Sequence, residues 1–319
     1  MNPLSSIFGV AVRTRNTLYD RGVLRQNSLQ GPVVSIGNLS VGGTGKTPFV
    51  ILLGELLKSR AIRFDILSRG YGRKSHATCL VIENSSPCEY GDEPLLLAHR
   101  LQVPVVVSAD RYRAGLFAEK QFGPLLHLLD DGFQHRRLRR QFDIVLTSQQ
   151  DFTDSLLPIG RLREPAQSLQ RADVIVFTND VSSNHVSQLP RAAHGKTVWK
   201  VHRGIHLENA PARPLVFCGI ARPKNFLAQV QAAGIEPSTH AFFRDHHPYT
   251  KDDVSSLLRL RDKHNAEGFL TTEKDVINLQ SLASSLHPLA IAKVTMQLED
   301  SDNALDTMLR IIAERRRTT

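Results

Sequence analysis

Short apolar runs alternate along this chain with longer stretches in which apolar positions recur every three or four residues. The runs at 33–37, 64–67, 103–107, 125–129, 144–146 and 174–177 are nearly continuous in Val, Ile, Leu and Phe. Such runs predict strands buried on both faces of a parallel sheet. Helix-length segments lie between them, notably from Lys46 and from Asp110, so the sheet is covered by helices on both sides. Two further segments, 198–207 and 291–298, alternate apolar with polar residues and predict longer strands covered on one face. Between the first of these and a new apolar run at Leu215 lies the polar, proline-broken stretch 208–214, which puts a domain boundary near residue 205. The expected architecture is therefore α/β: a larger parallel-sheet domain over 1–205 and a smaller α/β domain over 206–319. If 198–207 and 291–298 pair as a two-stranded hinge, the last helix, near 304–313, returns to the first domain, and 302–319 packs there. No internal repeat or low-complexity segment interrupts the pattern.

Bulk composition narrows the class. A chain of 319 residues with 41% hydrophobic and 22% charged residues can bury a substantial core without covalent staples. Its three cysteines, Cys79, Cys88 and Cys218, form no C-x-x-C pair, as expected of a reducing cytosol. A formal charge of +9 points to an anionic partner: nucleotide, nucleic acid, phosphorylated lipid or an anionic membrane face. No run approaches the roughly 18 apolar residues of a membrane span, and no signal-peptide core with a cleavage site is present, so a cytoplasmic location is expected. Near the start, Leu4, Ile7, Phe8 and Ala11 fall at helical spacing, with Arg13, Arg15, Arg21 and Arg25 close behind. Such a segment either lies in a headgroup layer with its arginines on anionic lipid or packs on its own domain.

The strongest chemical signal is local. The apolar run 33–37 feeds Asn38, Ser40 and then Gly42, Gly43, Thr44, Gly45, Lys46, Thr47 and Pro48, the order of strand, phosphate loop and helix start in a P-loop nucleotide site. Backbone N–H groups of Gly42, Gly43, Thr44 and Gly45 would face phosphate oxygens. Lys46 would reach the outer phosphates, and the Thr47 hydroxyl would hold Mg²⁺. The strict pattern has glycine where this chain has Ser40. At the end of the run 125–129 stand Asp130 and Asp131, where a carboxylate beside a P-loop normally holds Mg²⁺. The arginines at 136, 137, 139 and 140 read as a solvated face.

Three other segments carry candidate groups. Asp92, in Gly91-Asp92-Glu93-Pro94, stands either as a helix N-cap or as an acceptor for the proton of an attacking hydroxyl. Asp245, His246 and His247 form a polar cluster that fits a base with its partner, an incomplete metal site or a plain loop. The stretch Thr271-Thr272-Glu273-Lys274-Asp275 reads as a helix cap with Glu273 and Lys274 in solvent.

Taken together, these motifs resemble the tetraacyldisaccharide 4′-kinase family, the lipid A 4′-kinases of Gram-negative bacteria. The resemblance spans nearly the whole chain and adds Ser68-Arg69-Gly70-Tyr71-Gly72, Asp130-Asp131-Gly132-Phe133-Gln134-His135, Leu157-Pro158 and Leu162-Arg163-Glu164-Pro165. It implies a P-loop fold and transfer of the γ-phosphate of ATP, with Mg²⁺, to the 4′-hydroxyl of tetraacylated glucosamine disaccharide 1-phosphate, forming lipid IVA. It implies action at the cytoplasmic face of the inner membrane, as a peripheral protein on an anionic lipid surface, with no nucleic acid and no obligate protein partner. By the same resemblance Asp92 is the catalytic base and His246 its partner, brought from the second domain on closure around nucleotide. Lys46, Thr47, Asp130 and Asp131 map to the phosphate and metal site, and Gln134, His135 and Glu164 match positions near it. Two rival readings remain open at this level. One is a P-loop NTPase driving a protein partner, against which the segment 177–181 lacks the guanine-reading Asn-Lys-x-Asp. The other is a nucleic-acid binder using 136–140 and Arg315, Arg316 and Arg317, for which 6% aromatic content leaves little base stacking.

Overall fold

The computed structural model describes residues 3–83, 85–178 and 193–317. The chain opens with helix α1 (Pro3–Asp20) and then lays down β1 (Val33–Asn38), α2 (Lys46–Ser59), β2 (Phe64–Ser68), β3 (Cys79–Leu80), α3 (Pro87–Tyr90), α4 (Asp92–Leu101), β4 (Val105–Val107) and α5 (Arg111–Phe122). There follow β5 (Leu126–Asp130), β6 (Phe142–Thr147), α6 (Gln150–Thr153), a 3₁₀ turn (Ala166–Arg171), β7 (Val174–Thr178) and the long β8 (Thr197–Leu207). The second half contains β9 (Leu215–Cys218), α7 (Pro223–Ala232), β10 (Thr239–Phe242), α8 (Lys251–Lys263), β11 (Phe269–Thr272), α9 (Glu273–Leu279), β12 (Leu289–Leu298) and α10 (Ser301–Arg317).

Among the described residues twelve strands form one sheet in the order β10-β9-β11-β12-β8-β7-β6-β1-β5-β2-β4-β3. Pairing is parallel throughout except for β3 on β4 and β12 on β8. The apolar runs explain this. Every residue of β1, β2, β5 and β6 is buried, as strands sandwiched between helix layers require. β8 and β12 instead alternate covered and open positions, and they pair antiparallel from Ala292 opposite Leu207 to Leu298 opposite Val201. The chain therefore leaves the first half of the sheet along β8 and comes back along β12. Ala304, Leu305, Met308 and Ile312 of α10 then enter the same core cluster as Val34, Ile36, Phe142 and Ile144.

Several elements run a few residues longer than the apolar runs predict, and two other boundary shifts have a physical reason or consequence. The run at 103–107 yields strand only from Val105, because Pro104 has no N–H for the ladder and contributes only its carbonyl, to the Ile66 N–H (2.9 Å). The run at 125–129 starts one residue later and ends on Asp130. That extra residue puts a carboxylate at the C-terminal end of a central strand, the edge at which parallel sheets bind ligands. Asn179, Asp180 and Val181 of the 177–181 segment lie outside the described residues.

Candidate active site

The loop between β1 and α2 wraps the C-terminal edge of the sheet. Gly45 is the N-cap of α2 and takes φ 83°, the left-handed region where a Cβ is unfavourable. Gly37, just before the loop, packs so closely on the following Asp-Gly turn that an added Cβ would lie 2.6 Å from Phe133 Cβ. Asn38 braces the loop: its Nδ2 donates to Ser40 O and to Thr44 Oγ1, both at 2.8 Å. Its Oδ1 accepts from Lys46 Nζ at 3.1 Å and also from Arg163.

Lys46 Nζ also lies 3.4 Å from Asp131 Oδ1. Arg163 forks onto both Asp131 oxygens at 2.8 and 2.9 Å. Against the upward push of burial, Arg163 and Lys46 hold the Asp131 carboxyl well below the usual carboxylate range. Asp130 is its opposite. It accepts from Ser68 Oγ at 2.9 Å, but burial, with Glu93 and Asp131 close by, raises its pKa. The two adjacent carboxylates thus differ: Asp131 neutralises two cations, whereas burial and the neighbouring carboxylates disfavour charge on Asp130. That donor set fits Mg²⁺, which takes one or two carboxylates and fills its other positions with phosphate and water. Thr47, Asp130 and Asp131 all line the cleft. Among the described residues no cluster of three or more His, Cys, Asp or Glu forms a complete metal cage.

The opposite wall is built from α4, the loop before α8, and α9. Asp92 is not the N-cap of α4; Gly91 is, with φ 90° and no side-chain cap. Asp92 is the first helical residue, and it is 4% exposed. Its Oδ1 accepts from the Glu93 N–H at 2.8 Å. Its Oδ2 lies 2.7 Å from His246 Nδ1, a contact that spans 154 residues of sequence. His246 takes φ 56°, and its ring lies 5.5 Å from that of Tyr71. The hydrogen bond that Asp92 accepts from it raises the His246 pKa from the usual histidine value even though burial opposes it. Asp92 moves the other way: burial pushes it up, but His246 and Lys274 hold it below 3.8. Both shifts favour the charged form, of the carboxylate and of the imidazole beside it. His246, Tyr71, Glu93 and Lys274 share with the phosphate loop one cleft of about 820 Å³. His247 faces away onto Asp253 Oδ2 (3.1 Å).

The remaining sequence candidates sit elsewhere. Gln134 donates to Asn38 O at 3.0 Å, and its carbonyl accepts from Arg15 of α1. His135 is half-buried near Asp110 (3.9 Å), and burial with Arg111 nearby pushes its pKa down to about 4. Glu164 is fully buried and ties α1 to the 3₁₀ turn, accepting from Asn16 Nδ2 (2.7 Å) and Arg171 (2.9 Å). None of these three lines the cleft. Two expectations need correction. Glu273 and Lys274 are not in solvent: Glu273 accepts from Arg100 of α4 at 2.8 Å, and Lys274 donates to Glu93 at 3.1 Å. Nor are the arginines at 136–140 a uniform solvated face. Arg136 is buried, donating to Asn16 O (2.9 Å) and Asp20 (2.6 Å), and Arg140 pairs with Asp143. Apart from Asp143, three residues from Arg140, these partners come from distant elements that local charge counting does not reach. Arg163, Asn38, Ser68, Lys274 and Asn278 received no role from sequence. Each stands inside or beside a quoted motif, but their roles depend on contacts across the sheet.

Comparisons with known proteins agree along the whole length. The profile of one family, described as "LpxK: Tetraacyldisaccharide-1-P 4′-kinase", matches residues 1–313. A tetraacyldisaccharide 4′-kinase from Koribacter versatilis is 48% identical, with 99% of each chain covered. One from Geobacter metallireducens is 36% identical, with 96% of each chain covered. The 2.2 Å crystal structure of the "apo" form of LpxK from Aquifex aeolicus in complex with ATP superposes with a TM-score of 0.79 at 36% identity, covering 97% of this chain and 98% of that one.

Proposed function

The chain belongs to the tetraacyldisaccharide-1-P 4′-kinase family and is an ATP-dependent kinase of lipid A biosynthesis, and we propose that its transfer step runs between the phosphate loop and the Asp92–His246 pair. The acceptor is the 4′-hydroxyl of tetraacyldisaccharide 1-phosphate and the product is lipid IVA. The observation that carries the reading is the 2.7 Å contact of His246 with Asp92 at the cleft that the phosphate loop lines.

In this reading Gly42, Gly43, Thr44 and Gly45 cradle the phosphates with backbone N–H groups, and Lys46 exchanges its contacts with Asn38 and Asp131 for the outer phosphates. Thr47 and Asp130, with Asp131 beside them, would hold Mg²⁺, which when bound would supply positive charge against that developing on the phosphates. Asp92 takes the hydroxyl proton as the acceptor oxygen bonds to the γ-phosphorus and the bond to the ADP oxygen breaks. A carboxylate held below 3.8 is a weak base. That suffices because phosphoryl transfer passes through a loose transition state in which the proton leaves late, so positioning and charge matter more than base strength. His246 keeps Asp92 charged and oriented.

The membrane contact belongs to α1. Gly9, Val12 and Asn16 face the protein, whereas Leu4, Ile7 and Val10 are 59%, 67% and 60% exposed. An apolar stripe on one side of a helix with arginines behind it seats a protein on anionic lipid. Among the described residues no helix is long and apolar enough to cross a membrane, so the proposal is a peripheral protein at the cytoplasmic face. The division into domains 1–205 and 206–319 is part of the same reading, with β8 and β12 as the hinge between them.

The test is transfer of ³²P from labelled ATP to tetraacyldisaccharide 1-phosphate in detergent micelles with Mg²⁺, with Lys46→Ala in parallel. A labelled bisphosphorylated lipid, lost in the variant, is the expected result. Folded protein that binds ATP and labels no lipid would refute the reading and favour a partner-driven NTPase.

A further inference from the structure

The turn from Thr272 to Asn278 has no part in the mechanism above, yet its side chains converge on the base. Thr272 caps α9, accepting from the Asp275 N–H. Asp275, fully buried, accepts from the Gly219 N–H (2.7 Å) and from Tyr249 Oη (2.7 Å). Gly219 O in turn accepts the His246 N–H at 3.1 Å, so the backbone that presents His246 is moored to this turn. Glu273 anchors the turn to α4 through Arg100. Between these two moorings Lys274 projects into the cleft, its Nζ 3.1 Å from Glu93 Oε1 and 3.7 Å from Asp92 Oδ2. One turn later Asn278 Nδ2 donates to the same Asp92 oxygen at 3.4 Å. Three groups from the second half of the chain, His246, Lys274 and Asn278, therefore meet at one carboxylate oxygen on the first half.

We propose that Lys274, assisted by Asn278, is a positioning residue for the transfer step: it fixes the orientation and the charge of Asp92 from the opposite wall of the cleft. The inference rests on Asp92 being the base. A buried carboxylate with one imidazole partner can swing toward that partner or share its proton, and either event takes the acceptor oxygen off line. A cation on the other side of Oδ2, itself held by Glu93, blocks both. The charged and titratable groups that face the pair are consistent with this. His246 and Asp245 come from the loop before α8, Glu93 from α4, Lys274 from α9 and Tyr71 from the loop after β2; Glu273 is turned away onto Arg100. Burial acts to neutralise Lys274, but Glu93 and Asp92 outweigh it and keep the ammonium charged. The same ammonium opposes protonation of His246 and of Asp92, so its loss makes both groups easier to protonate.

The test is a double-mutant cycle on the full chain in the micelle assay: Lys274→Met, Asp92→Asn and the double variant, with Lys274→Arg and Asn278→Ala alongside. Lys274→Met is expected to lower kcat by about tenfold or more, within the coupling range of hydrogen-bonded neighbours. The KM values for ATP and lipid should stay within about twofold, as for loss of an interaction made only in the transition state. The acid limb of the kcat–pH profile should shift upward, Lys274→Arg should restore most of the rate, and Asn278→Ala should show a smaller loss of the same kind. In the Asp92→Asn background Lys274→Met should cost nothing further. Additive losses, or a Lys274→Met effect confined to KM, would overturn the proposal, as would an unmoved pH profile or a Lys274→Arg variant as slow as Lys274→Met. If Asp92→Asn itself keeps full kcat, the reading of Asp92 as base fails instead, whatever Lys274 does.

Discussion

Replacing Asp92 by Asn keeps the shape of the side chain and removes its charge, so it separates the chemical role of the carboxylate from its packing. Removing a positioned general base typically costs 10²–10⁴ in rate, about 3–5 kcal/mol of transition-state stabilisation. Nucleotide affinity should change little, because the groups that contact Asp92, namely Glu93, His246, Lys274 and Asn278, are not part of the phosphate loop. The structural consequence can be read separately. Lys274 Nζ lies 3.7 Å from Asp92 Oδ2, a gross attraction of about 4 kcal/mol at an effective dielectric near 20. Most of that is offset by relief of burying the carboxylate, and Lys274 keeps Glu93, so the net loss of stability should be about 1–2 kcal/mol. The direct reporter is His246. Its pKa is raised first by the Asp92 hydrogen bond, and burial and Lys274 both lower it. In Asp92→Asn it should fall, with Asp245 left as the remaining carboxylate that supports it, measured by NMR titration of the labelled imidazole. The sign of the pH dependence follows. A raised His246 contributes stability in full below pH 6.5, and that stability is lost as pH rises through the folded-state value. A lowered Asp92 contributes above pH 3.8 and fades as pH falls through its own folded-state value. Wild type should therefore exceed the variant most between those two limits, as read by urea titrations at several pH values. A His246 titration that does not move, or an ATP affinity that falls in step with kcat, would refute the reasoning.

Lys46→Ala should abolish detectable transfer and weaken ATP binding by calorimetry, since it deletes the cation that also touches Asn38 and Asp131; retained ATP affinity would show that the backbone cradle alone holds the triphosphate. Ile7→Asp with Leu4→Asp should reduce sedimentation with anionic vesicles while leaving ATP binding intact, because both side chains are exposed and the Asn16–Glu164 and Arg136–Asp20 tethers of α1 remain; an unchanged bound fraction would defeat the anchor. His127→Leu should destabilise the fold by about 3–5 kcal/mol in urea titration, because the fully buried imidazole sits 2.7 Å from Asp65 and its loss strands that buried carboxylate, whereas Glu119 keeps the Gly31 N–H; a smaller change would mean that Asp65 protonates at little cost.

What could be read from the sequence is what is local in the sequence. The buried parallel strands announce themselves as apolar runs, because a strand covered on both faces has no polar side to display. The phosphate loop is contiguous, so Gly42, Gly43, Thr44, Gly45, Lys46 and Thr47 declare both geometry and chemistry together, and Asp130 and Asp131 follow an apolar run that can only be a strand. The alternation in 198–207 and 291–298 suggested a pair, and β8 and β12 do pair. The roles of Asp92, Glu273, Lys274 and Arg136 were not legible from their neighbours. A carboxylate at the first turn of a helix looks like a cap, and charges after a strand look like solvated residues, whenever the partner is out of view. Helix propensity, burial of an apolar run and the geometry of a phosphate loop are determined over a few residues. The sequence alone therefore determined the fold class and the nucleotide half of the site. The proposed catalytic half joins groups 154 residues apart, and the charge of Asp92 depends on His246, Lys274 and burial together. Only the tertiary structure, by laying β12 back against β8 and α9 against α4, decided which charges face one another and so what each of them does.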